Sequence, residues 1–206
     1  MHEPGIPWQY RESIPPFQGV RSGRTSGRAA RAGVYASGGI GVKKDEREAA
    51  RLFEAAARAG DVYAIYNLSR MYAAGVGVER DEAKSEALLG EAVKSGLPTA
   101  CGLFADRLSK QGNFEEARRY YQIAAEGGFT EAMPLLAKWY RDGIGGPPDK
   151  VQALRWLLKL IDFGDNSRWR EIMSLARSMS DEEIREATRL VDRADEADFL
   201  IQKAKR

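Results

Sequence analysis

The residue types that most often carry catalysis are scarce in this chain. Its one histidine, His2, lies beside the N-terminus, so imidazole general bases, histidine triads and imidazole metal sites have no residue within the fold. Its one cysteine, Cys101, cannot form an intramolecular disulfide or a thiolate metal cluster, and no histidine within the fold is there to activate it. It reads as a small apolar residue of a buried helix face. The glycine runs GVGVERD from Gly75 and GIGGPPDK from Gly143 share only composition with phosphate loops, since neither follows a strand or ends in Gly-Lys-Ser/Thr. The carboxylate groups Glu115 with Glu116, and Asp181 with Glu182 and Glu183, stand where helices begin, and the helix dipole favours negative charge there. The sequence therefore points to no enzyme, cofactor or metal site.

Binding chemistry is the remaining class. The 206 residues carry 32 Lys plus Arg against 30 Asp plus Glu, and a net charge of +2 supplies no field that would draw the whole molecule onto nucleic acid or an anionic membrane. Basic character is local. Residues 1–34 hold Arg11, Arg21, Arg24, Arg28 and Arg31 against Glu3 and Glu12, interleaved with Trp8, Tyr10 and Phe17. That arm is the one feature from which a nucleic-acid-binding reading can start. Four prolines and four glycines before Arg28 disfavour a regular helix, so residues 1–28 are expected to form a basic tail outside the repeats, with a fold-back of its aromatics over the first repeat as the rival. No run of apolar residues is long enough to span a membrane, and no apolar h-region follows the start, so no membrane association and a cytoplasmic location are expected.

The elements that would position a binding face emerge when the chain is laid against itself. Ala49, Ser85, Ala117 and Ala153 recur at spacings of 36, 32 and 36. Three residues after each stands Leu52, Leu88, Tyr120 or Trp156; four further on come Ala56, Ala92, Ala124 and Leu160, and after four more Gly60, Gly96, Gly128 and Gly164. This is the stripe of an amphipathic helix closed by a glycine suited to the left-handed conformation, and it is called helix B. Asp45 with Glu48, Asn113 with Glu116 and Asp149 with Gln152 have capping-box spacing at its start, and Asp81 opens the second copy. A shorter helix A precedes it, seen in Ala64, Leu68, Tyr72, in Ala132, Leu136, Tyr140, and more weakly in Ala100, Phe104, Leu108. The third copy lacks the glycine loop between A and B.

These residues resemble the Sel-one-like repeat family, a relative of the tetratricopeptide repeat. The segment AIYNLSRMYAAGVGVERDEAKSEALLGEAVKSG from Ala64 to Gly96 follows the family pattern closely, and Trp156 takes the Trp position of the fourth copy. The expected fold is all-α: a right-handed superhelical solenoid of about four stacked antiparallel helix pairs. Its repeats are placed at about 29–60, 61–96, 97–128 and 129–164, with capping helices over 165–206 built around Trp169, Ile172 and Ala176 and a last segment from Asp181 to about Lys205.

The resemblance implies an adaptor or scaffold, in bacterial signalling or regulation, whose helix A surfaces line a concave groove for a partner protein or peptide. If helix A of the second repeat buries Ala64, Leu68 and Tyr72, its opposite stripe presents Tyr63, Tyr66 and Arg70. By the same register Thr99, Gly102 and Asp106 follow, then Glu131, Pro134, Lys138 and Arg141. Tyrosine and arginine dominate interface energetics, so Tyr63, Tyr66, Arg70, Asp106, Glu131, Lys138 and Arg141 are the expected partner-binding residues. The mixed charges of this set speak against phosphate recognition, which leaves the N-terminal arm as the only basis for the nucleic-acid alternative.

Overall fold

In the computed structural model the described residues are 30, 32–34, 37, 38 and 45–205. The expectations for residues 1–28 lie outside them. Within residues 45–205 ten α-helices follow in order: α1 Glu46–Arg58, α2 Val62–Ala74, α3 Glu82–Lys94, α4 Pro98–Lys110, α5 Phe114–Glu126, α6 Ala132–Asp142, α7 Lys150–Asp162, α8 Trp169–Arg177, α9 Asp181–Arg189 and α10 Ala197–Ala204. No strand occurs among the described residues. Odd members α1 to α7 are the B helices and even members α2 to α6 the A helices.

Local chemistry fixes the ends. Asp45, Asp61, Asp81 and Asp149 each accept a backbone N–H three residues on, from Glu48, Ala64, Lys84 and Gln152, at 2.9–3.0 Å. The cap at Asn113 does not form. Asn113 sits at φ −82°, ψ 62°, outside the extended cap geometry, and the Phe114 N–H turns back to the Gly112 carbonyl at 2.9 Å, because the shortened third loop leaves no room for the approach. Helix B ends alike in all four copies. Gly60, Gly96, Gly128 and Gly164 have φ of 81°, 72°, 90° and 87°, and the next N–H reaches the carbonyl five residues back at 3.0, 3.2, 2.9 and 3.0 Å.

The chain divides into two compact units, residues up to Ser85 and residues from Glu86, with the division inside α3. In the first, α1 buries Ala49, Ala50, Phe53 and Ala56 against Ala64, Ile65, Leu68, Met71 and Tyr72 of α2. The Tyr72 hydroxyl donates to Glu54 of α1 at 3.0 Å and accepts from the Lys84 ammonium in the first turn of α3. In the second unit Leu108, Tyr121, Met133, Leu136, Leu154, Trp156, Leu157, Ile172, Ile184 and Leu200 share one core.

Three expectations are corrected. The large residue three positions into helix B is only half-buried at Leu52, Leu88 and Tyr120; the residue after it, Phe53, Leu89 or Tyr121, is the buried one, and at Trp156 and Leu157 both are buried. A helix with neighbours on two sides, as α5 and α7 have, buries a face wider than one row. In α6 the deeply placed aromatic is Trp139, which Tyr121 and Phe114 meet edge-on at 5.2 and 5.9 Å, while Tyr140 stays half-buried. The last segment is two helices, broken where Asp192 takes φ 58°.

Candidate functional site

α2 presents the first candidate face. Its buried stripe is the expected one, with Ala64, Leu68 and Tyr72 at 0, 3 and 7% exposure, and this turns Tyr63, Tyr66 and Arg70 outward to half-burial. The Arg70 guanidinium lies 5.7 Å from the Tyr66 ring centroid, a cation–π contact one turn apart. Asn67, between them, folds its amide back onto the Tyr63 carbonyl at 2.9 Å and so leaves the tyrosines as the prominent groups. Arg70 is the one charged residue of α2.

The residues of the second unit behave differently. Asp106 of α4 is half-buried and accepts the Tyr121 hydroxyl of α5, so its carboxylate already serves the helix pair. Gly102, expected on the same outward stripe, is buried: a Cβ there would fall 2.5 Å from the Phe129 ring, which lies across it. On α6, Glu131, Lys138 and Arg141 are exposed. Arg141 meets both oxygens of Asp142 at 2.7 and 3.1 Å and reaches Glu171 of α8 at 3.4 Å. The hydrogen bond from Arg141 holds the Asp142 carboxyl below the ordinary carboxylate value. The structure therefore joins Tyr66 with Arg70 and commits Arg141 to a local ion-pair network, with the Lys138 charge also acting on Asp142.

Sequence reasoning missed one exposed cluster. Trp169, assigned to a capping-helix core, is 38% exposed at the start of α8, and its ring lies 6.2 Å from that of Phe199, 48% exposed on α10. The signal was available in part: Phe199 is followed four residues on by Lys203, not by an apolar residue.

Cys101 is buried, and burial pushes its thiol up from the ordinary value, away from the thiolate a nucleophile needs. Among the described residues no three His, Cys, Asp or Glu side chains converge as metal ligands, and no helix is long and apolar enough to cross a membrane.

Four segments, residues 29–61, 62–97, 102–129 and 130–164, match the model of the Sel1 repeat. Two crystal structures have similar folds. One is a Sel1 repeat protein from Oxalobacter formigenes, 24% identical over 87% of this chain and 88% of that one, with a TM-score of 0.65. The other is a protective antigen of uropathogenic Escherichia coli displaying an SLR fold, also 24% identical, over 87% of this chain and 41% of the antigen, with a TM-score of 0.60. No curated protein matches the chain.

Proposed function

This chain belongs to the Sel1 repeat family, and on that premise we propose that it is a scaffold or adaptor that holds a partner protein or peptide on the outward faces of its A helices. Sel1 repeat proteins generally mediate protein–protein interactions, and the fold is typically a non-catalytic scaffold. The observation that carries the reading is the α2 face, where Tyr63, Tyr66 and Arg70 stand together with Arg70 set over the Tyr66 ring. A guanidinium held by a ring is already ordered, so less side-chain entropy is lost when a partner binds. On the second unit Glu131, Lys138 and Arg141 are exposed and of mixed charge, and Asp106 of α4 is half-buried. Charges in water contribute little to affinity, so on this unit these residues select and steer a partner more than they hold it. The buried single thiol suits a reducing compartment, and we place the protein in the cytoplasm as an adaptor in signalling or regulation.

The test is capture of partners from the native host with the full chain, identification by mass spectrometry, and affinity measurement with the purified partner. Tyr66→Ala should weaken binding by about 1–3 kcal/mol and leave the melting temperature in place. An affinity unchanged in the Tyr63→Ala, Tyr66→Ala, Arg70→Ala triple variant would sink the α2 reading.

A further inference from the structure

The C-terminal helices expose two large aromatic side chains, Trp169 and Phe199. α8 and α10 pack on each other, and where they meet the exposed rings of Trp169 and Phe199 lie 6.2 Å apart at an angle of 34°. The Lys203 ammonium, one turn beyond Phe199, sits 5.8 Å from its ring centroid. The charges of these two helices sort unequally. Both carboxylates are engaged: Glu171 by Arg141 and Arg168 at 3.4 and 3.5 Å, Asp198 by Arg185 at 2.7 Å. Arg177 donates to the Ala204 carbonyl at 3.3 Å. Arg170, Arg177 and Lys203 have no carboxylate partner among the described residues, so the uncompensated charge of the two helices is three cations, on the helices that expose the two rings.

We propose that this face docks an acidic segment of a partner protein that also carries a large apolar residue, the apolar side chain lying on Trp169 and Phe199 and the carboxylates meeting Lys203 and Arg170. Exposed aromatic pairs beside uncompensated charge are surfaces that association desolvates, and the sign of the free charge selects the partner. A second copy of this chain fits less well, because a two-fold contact would bring the same uncompensated cations together. An anionic bilayer fits less well too, since stable surface attachment draws on four or more clustered cations.

The experiment pans a displayed library of short random peptides against the full chain, with the Arg170→Glu, Lys203→Glu double variant as counter-selection. The synthesised winners are then measured by fluorescence anisotropy in low and high salt. The expected winners carry Asp or Glu beside Phe, Trp or Leu. They should lose about tenfold or more in affinity for the double variant and for Trp169→Ser, with circular dichroism melts unchanged. Winners that lack acidic residues, that bind the double variant equally, or that never emerge overturn the proposal. So does a concentration-dependent doubling of mass in sedimentation that Phe199→Ser abolishes, which gives the face to a second copy. Binding to phosphatidylserine vesicles that the double variant loses, in the absence of acidic winners, gives it to lipid instead.

Discussion

At Gly77 and Gly145 a single hydrogen stands where any other residue would drive a carbon into a neighbouring backbone. A Cβ at Gly77 would fall 2.0 Å from the Glu46 carbonyl oxygen, and one at Gly145 2.4 Å from that of Phe114. The two contacts are the same contact one double repeat apart: the loop between helices A and B rests on the first turn of the preceding B helix. Gly60, by contrast, has φ 81° with nothing near its missing Cβ. Gly60→Ala should therefore cost about 1–2 kcal/mol, the left-handed conformation alone, and Gly145→Ala distinctly more, as read by denaturant melts. Within the core, Leu68→Ala and Trp156→Ala should each cost ~2–5 kcal/mol, against ~0.5 or less for Lys94→Ala on the surface. Leu89→Ala should outweigh Leu88→Ala, since Leu89 is the buried one; equal losses at the two would show that the burial register of α3 is wrong.

The helices themselves were legible because each is bounded by chemistry that needs no tertiary information. An aspartate before the first turn and a glycine four residues past the last core position mark a B helix wherever they occur, and three of the four starts follow that rule. Asn113 has the right residue type and spacing and still does not cap, because what decides is the backbone angle imposed by a shortened loop. Asp149→Ala should cost about 0.5–2 kcal/mol and Asn113→Ala close to nothing. The exposed face of α2 was legible for the same reason as its buried one, since a known stripe fixes its opposite. Phe53, Leu89 and Tyr121 were not, because which of two adjacent apolar residues goes deepest depends on where the second neighbouring helix lies. The C-terminal break was hidden as well: the turn at Asp192 contains no glycine or proline to announce it. At the start of α9, Ser180 and Glu183 satisfy each other's backbone, and the Ser180 N–H holds the Glu183 carboxyl below its ordinary value. A depressed carboxyl stabilises the fold above the unfolded-state value, and that contribution is lost as pH falls through the folded one. Glu183→Gln should thus flatten the acid limb of a melting-temperature profile and leave the slope of the alkaline limb unchanged.

For the whole molecule, the division inside α3 separates a smaller unit from one with a larger continuous core. Trp139 and Trp156 are both buried in the larger unit, so their emission follows residues from Glu86 onward, whereas circular dichroism follows every helix. In a Trp8→Phe background, urea unfolding should show ellipticity falling before tryptophan emission shifts, the signature of an array in which units open separately. Coincident transitions would mean that the two units unfold as one.

The solitary thiol of Cys101 gives this protein a clock. Sealed in α4 at 1% exposure, with its proton held on by burial, it cannot meet a thiol reagent until the helices around it part. The rate of its modification in the native protein is therefore the rate of that parting, or its equilibrium population when reclosing outruns the reagent. A bound partner that braces α4 and its neighbours would slow the reaction with no label or engineered probe introduced. The buried thiol is in this way a direct reporter of when the scaffold is occupied.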